Sequence, residues 1–401
     1  VLVGAWALPE HRGMNAFFTE LGREVLARWK RENFSLAAFP DIARAALEER
    51  PPAAHVDLAE LVRDFLLEDE QPFQTSSGFG QPELVVFDDP RFYIQLLFWL
   101  DGTTQIHQHE FSGAFHVMAG SSLHSEFAFE DARAVTAHFR VGDLRLERTE
   151  LLETGSTVPI VSGGGCIHSL FHLETPSLTV VVRTHSDPGT GPQFTYLPPH
   201  VAVDPFFTDA LTSRRTQLLD VLERTGDPAY AGLVREMVAE LDFERGFFIL
   251  QNGFGHLRNL GEWEETLEIF RRKHGPLADV VEPTLDEIVW RDTLVGLRSS
   301  VEEVEHRFFL ALLLNVRSRA ELLTFVARRF DGDPVETVLR WVEELMEGTD
   351  AGVCVLDAEI EDEPENFLAA VRLILETEEI PAELADFGAA LARSSLRALV
   401  S

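Results

Sequence analysis

Between residues 80 and 200 the chain carries eight short alternating or apolar runs, broken by Gly, Pro and Asp, with no helical stretch between them. They read "ELVVFDD", "RFYIQLLFWL", "AFHVMAG", "SLHSEFAFE", "RAVTAHFRVG", "LRLERTELL", "CIHSLFHL" and "SLTVVVRTH". That many strands without intervening helices argue for one antiparallel barrel or sandwich. On either side the apolar period is helical, from Asn15 to about Glu70 and again after "YLPPHVAVDP" almost to the end. The expected fold is therefore α+β, with a helical N-terminal segment over 1–79, a central antiparallel β-barrel over 80–204 and a large helical C-terminal domain over 205–401. A chain of 401 residues has room for this at roughly 100 to 200 residues per domain.

Within the last third, "SRAELLTFVARRF", "DGDP", "VETVLRWVEEL" and "GVCVLD" follow the helix, turn, helix, strand order of a winged helix over 316–357. Charge argues against a nucleic-acid reader. The formal net charge is −33, and Lys30 and Lys273 are the only lysines. The second helix of the unit sets Arg340 alone against Glu336, Glu343, Glu344 and Glu347, which would bring negative charge to a phosphate backbone. Its apolar residues Val338, Leu339, Val342 and Leu345 are better used against neighbouring helices or a second subunit. A homodimer is expected, two-fold pairing being the commonest soluble assembly.

Two cysteines, Cys166 and Cys354, are too few for a disulfide framework and point to a reducing, cytoplasmic setting. No apolar run approaches the ~20 residues of a membrane span, and the opening "VLVGAWALPEHRG" lacks the basic region and long apolar stretch of a signal peptide. Neither nucleic acid nor membrane is an expected partner.

Nine of the 14 histidines fall between residues 107 and 200, inside the β region. In "TTQIHQHEFSGAFHVMAG", His107 and His109 stand one residue apart. On a strand, positions i and i+2 project from the same face, so both imidazoles can meet one ion; on a helix they would diverge. The competing reading is a set of barrel histidines satisfied by hydrogen bonds.

This stretch resembles the first motif of the cupin superfamily, in which a glycine precedes H-x-H, a glutamate usually follows, and a second glycine closes the motif. Gly102, His107, His109 and Gly120 match that frame. "PIVSGGGCIH" resembles the second motif, and the resemblance implies His168 as third ligand. The glutamate position reads Gly113, and Glu110 would point to the opposite face of a continuing strand. Three histidines without a carboxylate resemble the cysteine dioxygenase, or thiol dioxygenase, branch. The similarity spans about 100 residues through "FYIQLLFWLDGTTQIHQH" and "GCIHSLFHLETPSLTVVVRTHSDP". The sequence departs from that branch at Gly113, where some members carry a crosslinked cysteine, at His185, which stands where the family has a tyrosine, and in lacking the family's carboxylate clamp upstream of Arg91.

The resemblance implies a double-stranded β-helix barrel and a mononuclear non-haem iron oxygenase or dioxygenase acting with O2 on a small anionic molecule. Three neutral imidazoles hold Fe(II) and leave positions for O2 and substrate, while Zn, Ni, Mn or Cu suit the same ligands. Without a carboxylate ligand the site carries more positive charge, which favours a thiolate or enolate. Around it, Tyr93 and Gln95 share one strand face. Arg183 is a candidate to pair with an anionic substrate, and His185 to hydrogen-bond bound oxygen. Parity places Arg183 and His185 on one face together. His116 falls on the face opposite the site, and it and His124, flanking the Gly120 turn, are a candidate cross-strand pair. His172 lies four residues beyond His168, Cys166 reads as a packed thiol, and Glu302 with His306 reads as a helix-face pair. Two other functions remain open: another metal-dependent cupin enzyme, an isomerase or lyase, and a ligand-sensing cupin with a helical interaction domain.

Overall fold

The computed structural model describes residues 12–13, 15–67, 72–75, 79–100, 102–347, 364–377 and 379–401. The N-terminal segment folds as helices α1 (Ala16–Arg31), α2 (Phe39–Glu49), α3 (Pro52–His55) and α4 (Leu58–Leu67). Asn15 caps α1 by accepting from the amides of Phe17 at 2.8 Å and Phe18 at 3.3 Å, which satisfies two donors the helix cannot pair itself.

Among the described residues, twelve strands follow the chain: β1 (Arg12–Gly13), β2 (Glu83–Asp88), β3 (Phe92–Trp99), β4 (His107–His109), β5 (Gly113–Ala119), β6 (Ser122–Ala134), β7 (Phe139–Leu152), β8 (Thr157–Ile160), β9 (Gly163–His172), β10 (Ser177–Thr184), β11 (Thr195–Leu197) and β12 (Val201–Val203). They form two antiparallel sheets. The first runs β1-β2-β3-β10-β5-β8, and the second, β11-β12-β7-β6-β9-β4, closes on itself where Thr195 pairs with His107. Period-two alternation then assigns every strand an inner and an outer side. Inner residues Leu97, Trp99, Phe115, Leu152, Leu170 and Val181 form one cluster between the sheets. Outer residues Leu84, Val86, Ala114, Val180 and Val182 of the first sheet pack under α1 and α2 with Phe18, Leu21, Val25 and Phe39.

The C-terminal helices cover the second sheet. They are α5 (Ala210–Thr225), α6 (Tyr230–Glu240), α7 (Phe243–Asn259), α8 (Trp263–His274), α9 (Val281–Ser299), α10 (Val304–Asn315), α11 (Arg319–Arg329), α12 (Pro334–Glu347), α13 (Pro364–Glu376) and α14 (Ala385–Leu391). Phe139, Val141 and Val201 pack with α6–α9, whereas Leu123, Phe171 and Leu173 enter the cluster formed by α9–α13. Arg298 of α9, itself 1% exposed, donates from Nε to the His172 carbonyl at 2.7 Å and from Nη2 to the Glu174 carbonyl at 3.3 Å. Arg307 of α10 donates to the Leu173 carbonyl at 3.1 Å. The two arginines thereby tie the β9–β10 turn to the helices. Among the described residues, no helix is long and apolar enough to cross a membrane.

Several sequence expectations need correction. "RAVTAHFRVG" is not a strand of its own but the end of β6, a turn and the start of β7, with the Val135 amide donating to the Phe139 carbonyl at 2.9 Å. Glu302 precedes α10 and shares no helix face with His306, which instead pairs with Glu344 of α12 at 2.8 Å. In the winged-helix stretch α11 and α12 are present, while the proposed strand at 352–357 lies outside the described residues. Val338, Leu339, Val342 and Leu345 of α12 are buried against neighbouring helices of the same chain, so this face is not available to a second subunit.

Candidate metal centre

His107 and His109 lie on β4 and His168 on the adjacent β9, where His107 and His168 are direct cross-strand partners. All three are buried, at 5%, 4% and 2% exposure, and one ring nitrogen from each lies within 4.8 Å of the others. His107 donates from Nδ1 to the Gln105 carbonyl at 2.7 Å, which leaves its buried Nε2 a bare lone pair without a partner. His109 Nε2 and His168 Nε2 stand 2.9 Å apart. The rings of Phe79, Phe111 and Phe115 lie 5.7 Å from His107, 4.5 Å from His109 and 5.9 Å from His168 respectively. This aromatic collar keeps the imidazoles dry. Burial pulls His107 down to about 4 and His109 and His168 well below the usual histidine range, because low dielectric disfavours the charged form. The donor set is thus neutral at physiological pH, the protonation state that a divalent cation requires.

Among the described residues, no carboxylate joins it. At Gly113 an added Cβ would stand 2.1 Å from the Val182 carbonyl oxygen, so the backbone at the position expected for a glutamate leaves no room for any side chain. Gly120, at φ +82°, makes the turn between β5 and β6 that a side chain would strain.

Arg183 is the last inward residue of β10. Its guanidinium stacks 3.4 Å from the Phe111 ring centroid and 5.0 Å from that of Tyr93, and it donates to the carbonyls of Thr184 at 3.2 Å and His185 at 3.0 Å. Phe111 is the ring that also touches His109. His185 does not follow Arg183 inward: β10 ends at Thr184, so parity no longer binds it, and its Nε2 instead meets the Asp89 carbonyl at 3.0 Å. The Tyr93 ring lies tilted against that of His185, with centroids 5.1 Å apart. Gln95, two residues along the same inner face of β3, is 2% exposed with a buried Oε1 that lacks a partner.

His116 lies on the outer face of β5, where its Nδ1 meets Thr157 Oγ1 at 2.8 Å, and burial pulls it down to about 4. It is not a cross-strand pair with His124, because β5 and β6 belong to different sheets. His124 points between the sheets and places Nε2 2.9 Å from His168 Nδ1. This residue was missed as a partner of the centre; the signal available was its place directly between Leu123 and Ser125 on β6, since strand alternation turns it to the face opposite its two neighbours. His172 stacks on Trp99 at 4.6 Å and pairs with Ser122 at 2.8 Å. Burial pushes the Cys166 thiol up to about 12, so it is an inert group rather than a nucleophile.

No protein-family model matches this chain, and no curated protein matches it. Among solved structures it is similar to a cupin-2 domain protein of Shewanella frigidimarina, at 14% identity over 33% of this chain and 95% of that one, with a TM-score of 0.20. It is also similar to hydroquinone 1,2-dioxygenase of Sphingomonas sp. TTNP3, at 12% identity over 30% and 81%, TM-score 0.22. A third is the DMSP lyase DddQ of Ruegeria pomeroyi, at 17% identity over 43% and 93%, TM-score 0.23. Likeness this distant carries no functional assignment. The second sheet, closed on itself and facing the first, places histidines on neighbouring strands and makes an antiparallel β-barrel with helical flanks.

Proposed function

We propose that this chain is a metal-dependent enzyme of the cupin type and, within that class, a mononuclear non-haem iron dioxygenase acting with O2 on a small anionic substrate. The observation that carries the proposal is the convergence of three neutral imidazoles, one with a bare buried nitrogen, in an aromatic interior without a carboxylate. His107, His109 and His168 are the proposed ligands. Fe(II) held there would supply redox chemistry and open coordination positions; Zn, Ni, Mn or Cu suits the same donors.

The protein's own residues then do the rest. Three uncharged ligands leave the full charge of the cation uncompensated, which favours an anionic donor such as thiolate or enolate. Arg183, nearest charged neighbour along the Phe111 ring, is proposed to orient that anion. The phenylalanine collar excludes water and strengthens both attractions. Tyr93 and Gln95 share the inner face of β3, and the partnerless Gln95 Oε1 offers an acceptor to a substrate donor. His185 is proposed to act only by packing on Tyr93. We further propose a cytoplasmic homodimer.

The test is an oxygen-electrode screen of protein loaded anaerobically with Fe(II), offered small thiols, enols and amino acids. Uptake of O2 matched to substrate loss is expected. Turnover without O2 uptake would establish an isomerase or lyase instead, and tight binding with no turnover on any metal tested would establish a ligand-sensing barrel.

A further inference from the structure

His124 and Glu150 have no part in the ligand set, yet they form a continuous path to it. Glu150 of β7 is the direct cross-strand partner of His124 on β6, and its Oε1 lies 3.2 Å from His124 Nδ1. On the other side of the same ring, Nε2 lies 2.9 Å from Nδ1 of His168. His124 has 0% exposure, while the Glu150 side chain, at 35% exposed, reaches the rim. There Arg148 donates to both Glu126 at 2.7 Å and Glu150 at 3.3 Å. The guanidinium already occupies the rim between the two carboxylates, so His124, Glu126 and Glu150 do not make a second cation site despite their closeness.

The direction of the path follows from what each end can do. An ionised carboxylate only accepts hydrogen bonds, so a neutral His124 must carry its proton on Nδ1 and donate it to Glu150. Its Nε2 is then a lone pair, which can be satisfied only if His168 donates from Nδ1. Neutral His168 with its proton on Nδ1 has a bare Nε2, and that nitrogen is the one facing His109. The opposite order, with His168 protonated on Nε2, would set the His124 Nδ1 lone pair against a carboxylate.

We propose that Glu150 and His124 are positioning residues that fix the tautomer and ring orientation of His168, a carboxylate–histidine–histidine relay holding the third nitrogen of the centre ready to bind a cation. This rests on the reading of His107, His109 and His168 as ligands. A histidine ligand usually gives its second N–H directly to a carboxylate or carbonyl; here an additional imidazole extends that contact across two strands, so that the charged group stays at the rim and the interior stays neutral.

The test is carried out on the full chain in two arms. In the metal-free arm, two-bond nitrogen–proton NMR correlations of ring-labelled histidine report the tautomer of His168 without any cation. The Nδ1–H form is expected in the wild type, with loss of that preference in Glu150→Gln, a rim substitution that leaves the core intact. His168 found as the Nε2–H form would overturn the relay. In the second arm, chelator competition measures Zn(II) and Fe(II) affinity. A loss on the order of 10–100-fold is expected for His124→Leu, with a smaller loss for Glu150→Gln and none for His116→Phe on the opposite sheet face. Wild-type affinity in both His124→Leu and Glu150→Gln would also overturn the relay. A wild type that takes up no metal would overturn the centre itself, while the tautomer arm would still decide the relay.

Discussion

His107 and His168 face each other directly across the antiparallel pair β4–β9, so the two imidazoles converge because of strand register rather than loop geometry. A slip of one residue would turn either to the far side of its sheet. Beside them His109 adds its nitrogen from the same face of β4, two residues along.

From this register it is expected that purified protein holds about one divalent ion per chain, and that His107→Ala, His109→Ala and His168→Ala each lose most of it. Elemental analysis of the four proteins checks this. Undiminished metal in all three variants would remove the assignment.

Acid sensitivity follows from histidines held neutral by burial away from the centre. His116 sits at about 4 and His172 at about 3, both depressed by desolvation below the ordinary value near 6.5. The unfolded chain therefore binds protons first as pH falls. Stability from these groups is complete above about 6.5 and declines progressively toward 4 and 3, by on the order of 3–5 kcal/mol for each once the lower value is reached. Thermal melts of metal-free protein should show Tm falling from pH 7 to pH 5, with a shallower slope in His116→Phe. An unchanged slope in that variant would contradict the desolvation account.

At Gly113 even alanine is expected to cost on the order of 2–4 kcal/mol, since the backbone carbonyl of Val182 at 2.1 Å must be pushed aside. Denaturant titration of Gly113→Ala measures it. Gly113→Glu should be worse and should restore no carboxylate to the centre, which metal stoichiometry of any folded fraction would reveal.

Arg183→Gln is expected to retain its metal but to raise KM for anionic substrates roughly 10-fold or more, a charge-assisted contact contributing about 1.5–3 kcal/mol. Steady-state O2 uptake with the substrate found in the electrode screen is the measurement. An unchanged KM would place Arg183 in packing alone, on Phe111.

Removal of Arg298 should be felt at two sites. Arg298→Met leaves the His172 and Glu174 carbonyls without their donor, a loss of about 2–4 kcal/mol for a buried charged contact. Because the contact joins helix to barrel, calorimetry is expected to show the single transition broaden or split. A sharp transition at the wild-type Tm would show that the apolar seam alone holds the two parts together.

The sequence made the barrel legible through strand runs without helices, and it made the three converging histidines legible through same-face spacing and the Gly-rich turn before His168. What it could not supply was strand order. His116 and His124 look like hairpin neighbours around Gly120, yet the chain crosses between sheets at that glycine, a non-local choice that alternation alone does not encode. Strand β8 was unmarked because Pro159 lies within it, and it is tolerated since β8 is the last strand of its sheet. Val135 and Thr136, good strand formers in isolation, instead sit at the β6–β7 turn. The end of β10 at Thr184 separates His185 from Arg183, a boundary that parity presumed continuous.

Strands β6 and β9 carry different cargo on their two sides: His124 and His168 inward, Leu123 and Phe171 outward into the cluster shared with α10. The same peptide units are thus the floor of the inner site and the ceiling of the helical layer. A partner that pried α10 off the sheet would uncover Leu123 and Phe171 and slacken the two strands whose spacing holds His168 against His124. In that sense the C-terminal helical half behaves as a splint. Its grip on the outer surface sets how rigidly the imidazoles are held a few ångströms away, and any signal arriving at those helices would reach the barrel interior through a single layer of backbone.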